Sequence, residues 1–205
     1  MLAGIILAEG VVAFCSLAFE VIAARLVAPY AGMSTDTWTA IIAAFLLALA
    51  LGNRLGGRLA SRRDRPSKLR LAALATAGGG IAVAAAPWFI EAWDALVLAP
   101  APATLWRIVL FAALPCIPAG MLFGLAAPLL MLSGLGSGTG QGLRAGTIYA
   151  AGATGSVLGV LAALWLLLDD LGVRNSLLLI GVFAFANAAM LILLARFSQR
   201  AAVLP

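Results

Sequence analysis

The sequence predicts an all-α integral membrane protein with about six transmembrane helices, and three observations predict it. The chain is 64% hydrophobic and 10% charged, with a mean hydropathy of +1.11, whereas soluble domains carry about 25% charged residues. Its apolar residues come in runs of the ~20-residue length that crosses a bilayer. Its basic residues and its tryptophans sort to opposite ends of those runs. With 205 residues in all, the expected spans leave no room for a soluble catalytic domain, so residues 1–205 read as one polytopic membrane domain.

The hydrophobic runs place helices at about 2–28, 37–61, 69–90, 104–132, 145–168 and 175–196. The first run lacks a basic leader and contains Glu9, so it reads as a retained span and not a cleaved signal peptide. The third and fourth runs are expected to be interrupted near mid-depth, at Gly78-Gly79-Gly80 and at Pro115–Pro118. A proline in a helix removes one backbone hydrogen bond, and the freed carbonyl must find protein, water or ligand. Residues 133–142 read as a flexible connector, because their glycine spacing matches no phosphate-binding motif and no strand precedes them.

Orientation follows from the basic residues. Arg62, Arg63, Arg65, Lys68 and Arg70 lie between the second and third runs, Arg144 before the fifth, and Arg196 and Arg200 after the sixth. With an even number of spans these share one side. The other side holds Asp36, Glu91, Asp94, Asp169 and Asp170 against Arg107 and Arg174. Trp38, Trp88, Trp93, Trp106 and Trp165 fall towards that second side, as expected of rings that favour the interface. Both termini are therefore expected in the cytoplasm, with the protein multi-pass in a bacterial inner membrane. The net charge of +5 comes from this sorting and does not indicate a nucleic-acid partner.

Candidate functional residues are the polar ones inside the spans. A charged side chain at the bilayer centre costs at least ~2.5–3.5 kcal/mol on insertion scales, so it usually faces protein or water. Glu9 lies about three turns before Glu20, a separation that returns to within roughly 20° of the same helix face. Ser16 falls on that face too, so Glu9, Ser16 and Glu20 form a polar stripe down an otherwise apolar helix. Arg25 either snorkels to the interface or pairs with a carboxylate. Asn187 either caps an interhelical contact or faces a cavity. Pro115 and Pro118 mark a broken segment of the kind that builds transporter binding sites. Arg62 to Arg70 read as a solvated, headgroup-contacting loop and Arg58, near the end of the second run, as a snorkelling residue; on a sharper reading Arg58, Arg62 and Arg63 form a gate.

Other chemistry is not indicated. The chain has no histidine, and its two cysteines, Cys15 and Cys116, lie inside spans without ligand spacing. No nucleophile–base pair or metal set is visible, so neither an enzyme nor a cofactor is expected.

A faint internal repeat relates the two halves. Arg25-Leu-Val-Ala-Pro29 and Gly124-Leu-Ala-Ala-Pro128 share L-x-A-P near the ends of the first and fourth runs. Small residues then recur every fourth position: Ala44, Ala48, Gly52, Gly56 and Ala60 in the second run, Ala151, Gly155, Gly159 and Ala163 in the fifth. Such stripes let backbones approach closely in lipid. Three helices per repeat would make the two repeats inverted in the membrane.

The segment Glu20…Arg25…Pro29, a polar turn, Trp38 and then LALALGNRLGGRLASRR resembles the membrane domain of fused major-facilitator/spermidine-synthase-like bacterial proteins. Gly56-Gly57-Arg58-Leu59-Ala60 with its following arginines is similar to the loop signature between the second and third helices of major facilitators. Two positions depart from the pattern: Ser61 stands where an acidic residue is usual, and Tyr149–Gly155 keeps the outline of a Y-A-x-N-T-L-G motif without its Asn. The resemblance implies a half-major-facilitator-like arrangement and a small secondary transporter. Its cargo would be a small cationic solute such as a polyamine, coupled to protons through the carboxylate stripe. The alternative is a non-transporting anchor or accessory subunit for a separately encoded synthase-like enzyme or a larger membrane complex. Expected partners are the lipid bilayer, a second copy or another membrane subunit, and a soluble synthase-like chain.

Overall fold

The computed structural model describes residues 1–97, 105–136 and 139–203. These residues form six α-helices and one π segment: α1 (Leu2–Ala31), α2 (Thr35–Ser61), α3 (Arg65–Val97), α4 (Leu105–Gly134), α5 (Gln141–Ala162), the π segment (Ala163–Leu171) and α6 (Gly172–Val203). Residue 104, the expected start of the fourth helix, and residues 137–138 of the connector lie outside the described residues.

Five stretches are long and apolar enough to cross a membrane: Leu2–Ala31, Thr35–Ser61, Arg65–Leu96, Trp106–Gly134 and the 60-residue Gln141–Arg200. The last would run about 90 Å as one straight helix, three times the ~30 Å hydrocarbon thickness. It is divided instead by the π segment and by Gly172, whose φ of 72° leaves the helical region. The Ser176 hydroxyl reaches the carbonyls of Leu167 and Gly172 at 2.7 and 2.6 Å. It thereby supplies a donor where the π segment loses the regular ladder.

Local chemistry sets the other turns. Gly32, at φ 78°, ends α1. The Ser34 side chain then accepts from the Thr37 N–H at 3.1 Å and caps α2. Asp64 precedes α3 and is held below the usual carboxylate range, first of all by its hydrogen bond from the Ser67 side chain. The connector after α4 is tied down over its described part, not free. Arg144 Nη1 donates to the Leu135 carbonyl at 3.1 Å, and Arg65 Nε donates to the Ser133 carbonyl at 2.7 Å.

These contacts define two ends of the bundle. At the basic end, Arg70 donates to Gln199, joining the start of α3 to the end of α6. Gly134 of α4 lies against Ile5 of α1 and Ile148 of α5 at the same end. At the acidic end, Tyr30 of α1 lies within electrostatic reach of Glu91 and Asp94. Arg174 sits there too, 4.6 Å from the ring centre of Trp88.

Helix α1 touches every other helix. It packs most closely on α5, and α2 packs most closely on α4; α1 and α4 meet along the centre. Behind them α3 and α6 pack on each other, with α3 also on α4 and α6 also on α1. The outside is apolar: Leu46, Leu47, Leu74, Ile81, Val157 and Val182 are all exposed, as suits a bundle solvated by hydrocarbon.

The small-residue stripes explain the two tightest contacts. A Cβ on Gly52 or Gly56 of α2 would run into the backbone carbonyls of Met121 and Leu125 on α4. A Cβ on Gly155 or Gly159 of α5 would run into those of Gly10 and Phe14 on α1. Only glycine permits such an approach, and in lipid close van der Waals packing replaces the absent hydrophobic drive.

The expected interruptions of the third and fourth helices do not occur. α3 is continuous through Gly78–Gly80, and α4 is continuous through Pro115, Pro118 and Pro128. The three glycines serve packing: Gly78 faces Leu122, Gly79 faces the ring of Phe123, and Gly80 faces Ala184 and Gly181. A single missing N–H per proline leaves enough of the ladder for the helix to persist when neighbouring helices hold it.

Candidate functional site

α1 presents its polar stripe to the interior from the centre of the bundle. Ser16 is 3% exposed and its hydroxyl has no hydrogen-bond partner. The Glu9 side chain lies over Gly152 of α5, with Oε1 3.3 Å from where a Cβ on that glycine would stand. Its other oxygen, Oε2, is buried and unpaired. Asn187 of α6, 3% exposed, donates through Nδ2 to the Ala8 carbonyl at 3.1 Å, while its Oδ1 is left unpaired. Three of the four unpaired buried side-chain atoms found among the described residues are therefore on α1 or on a residue bonded to it. The fourth is the indole nitrogen of Trp93. Most buried polar atoms in folded proteins are hydrogen-bonded, so such a concentration along one helix calls for a physical reason.

Glu20 is half-buried and makes no hydrogen bond or ion pair among the described residues. It lies within electrostatic reach of Cys116, the residue inside the Pro115–Pro118 segment of α4. The pairing of Glu20 with Arg25 that the sequence left open does not form. Arg25 is exposed and turned away, because five residues of helix rotate it well off the Glu20 face.

The remaining candidates fall elsewhere. Pro115 is buried and Pro118 exposed, and both line a small apolar cavity of about 120 Å³ against Ala82, Ala85, Ala86 and Phe89 of α3. They do not join the carboxylates. Arg58, Arg62 and Arg63 are exposed at the basic end. Arg58 and Arg62 flank a surface depression with Ser61, whose hydroxyl donates to the Arg58 carbonyl at 2.9 Å. Sequence reasoning missed Gly152, which makes the room for Glu9. The signal was present in the small-residue stripe of the fifth run, one position from Ala151.

The two free cysteines are buried on separate helices, and Cys15 donates weakly to the Ile180 carbonyl at 3.8 Å. No group of three His, Cys, Asp or Glu residues that could hold a metal occurs among the described residues.

Removing the amide of Asn187 tests how much the α1–α6 junction depends on it. Interhelical hydrogen bonds in membranes average ~0.6 kcal/mol and reach ~1.7. Asn187→Ala is expected to lower unfolding free energy by about that range in mixed-micelle denaturant titration.

Compared with known protein families, curated proteins and solved structures, the chain matches none.

Proposed function

We propose that the protein is a small secondary transporter with six membrane crossings, in which the stripe on α1 exchanges protons against a small cationic solute. The observation that carries this reading is the unpaired Glu9 Oε2, Ser16 hydroxyl and Asn187 Oδ1 on or against the central helix. Leaving polar atoms unpaired in a bundle interior costs stability, and a group that must bind and release an ion is a physical reason to accept that cost. A polyamine-like cargo comes only from the resemblance to the spermidine-synthase-linked membrane domains.

The half-facilitator arrangement has support of its own. Exchanging the first three helices for the last three maps the helix neighbours onto one another. The α1–α5 contact becomes α4–α2, and α1–α6 becomes α4–α3. The α1–α4 and α3–α6 contacts map onto themselves. Inverted three-helix repeats produce this pattern.

The accessory-subunit reading has one observation in its favour. The Glu9 side chain is packed against Gly152 of α5, which suits a structural role. Flux separates the two. Protein in sealed vesicles with an imposed pH gradient is expected to move labelled spermidine across the membrane. Absence of gradient-driven flux for spermidine and for smaller diamines, in vesicles shown to hold folded protein, favours the accessory reading.

Topology is tested separately. With Cys15 and Cys116 replaced, a cysteine at Ser67 should resist an impermeant thiol reagent in intact cells, while one at Ala95 should react. The opposite pattern would invert the proposed orientation.

A further inference from the structure

We propose that the groove between α2 and α4 binds a single-chain amphiphile with an ammonium head group, drawn from the leaflet at the acidic end. The groove has a volume of about 550 Å³, within the ~300–1,000 Å³ of ligand pockets. Ala40, Ala44, Ala48 and Ala113 hollow it out, where larger side chains would fill it. It follows α2 from Asp36 to Leu51, a length of about 22 Å at helical rise. It stops where Gly52 brings α2 onto the backbone of α4. The shape is that of an extended alkyl chain lying along the bilayer normal.

Chemistry at the mouth selects the head group. The groove's polar side chains, Asp36 and Thr39, both lie towards its acidic end, in the first turns of α2. Asp36 is exposed and has no ion-pair partner among the described residues. Of the arginines towards that end, Arg174 is placed over Trp88 of α3, and Arg107 of α4 is buried, 5.9 Å from the ring centre of Trp106, and is not among the groove's lining residues. A carboxylate and a hydroxyl above an apolar slot fit an ammonium: an ion pair with Asp36, a hydrogen bond to Thr39, and methylenes below. A carboxylate or phosphate head would meet like charge. The inference does not involve the α1 stripe, so it stands or falls independently of transport.

The test uses the purified full chain in detergent with photoreactive analogues of octadecylamine, octadecanol and octadecanoate, and maps the labelled peptides. The amine is expected to label α2 and α4 at least tenfold more than the alcohol, and the acid least. Asp36→Asn should bring the amine down to the level of the alcohol. Ala44→Phe or Ala113→Phe should abolish labelling by both. Equal labelling by amine and alcohol, indifference to Asp36→Asn, or labels mapping to other helices would each overturn the proposal. So would disulfide cross-linking of two chains through a cysteine placed at Ala44, since a second copy would then fill the groove. If the phenylalanine variants fail to fold, the exposed Asp36→Asn substitution still decides the matter.

Discussion

Gly155→Leu is expected to prevent the protein from folding into its native bundle. The Cβ of any side chain at 155 would collide with the Gly10 carbonyl, and the neighbouring atoms are Gly10 backbone as well. A flexible side chain could swing aside, but here α1 itself would have to move. α1 touches every other helix, so its displacement spreads through the structure. Overpacking typically costs about 1–3 kcal/mol when side chains can adjust. A backbone clash at the central helix should exceed that, against a total stability of only ~5–15 kcal/mol. Gly56→Leu, which meets the Leu125 carbonyl, should behave the same way at α2–α4. Leu at Ala153 or Ala50, exposed positions on the same two helices, should leave the protein unchanged. The measurement is the monodisperse fraction in detergent and the midpoint of its thermal unfolding. Normal behaviour of both glycine variants would contradict the helix packing described above.

Glu20→Gln is expected to eliminate proton-driven flux while leaving folding intact. The side chain keeps its size and loses its titratable charge. Glu20 makes no hydrogen bond or ion pair among the described residues, so the substitution removes neither, and the fold should survive it. Under the proposed transport mechanism, coupled flux should fall by at least tenfold, while any downhill leak of the solute persists. Glu9→Gln provides the contrast. Its carboxyl is packed over Gly152, so both flux and stability should respond. Retained coupled flux in Glu20→Gln would remove Glu20 from the mechanism. Lost folding in that variant would instead make it a structural residue, as the accessory reading expects.

Much of the architecture was legible in the sequence because hydrocarbon is a strict solvent. Backbone polar groups must be satisfied within each span, so long apolar runs can only be helices. Most helix ends lie within about four residues of the expected bounds, but α3 and α6 run seven residues further, to Val97 and Val203. The small-residue stripes announced close contacts, because small residues spaced four apart on a helix have few other uses in lipid.

Tertiary structure decided what the one-dimensional pattern left open. Periodicity placed Glu9, Ser16 and Glu20 on one face but could not say what that face meets. Gly152 lies beneath Glu9, Asn187 reaches Ala8, and Cys116 approaches Glu20. Each of these comes from a different helix far along the chain. The prolines and the triple glycine were misread as breaks, because propensity is local whereas the persistence of α3 and α4 depends on the helices packed against them. Arg25 was offered as a partner of the carboxylates by proximity in sequence, and helical rotation separates them; Pro118 was offered as part of a broken segment, and it lines a cavity against α3 instead. The sequence by itself determined that the chain is helical, which of its residues are apolar and which charges gather at each end, since these follow from composition and period alone. Which stripe faces which neighbour depends on how six rods pack, and only the assembled bundle determines that.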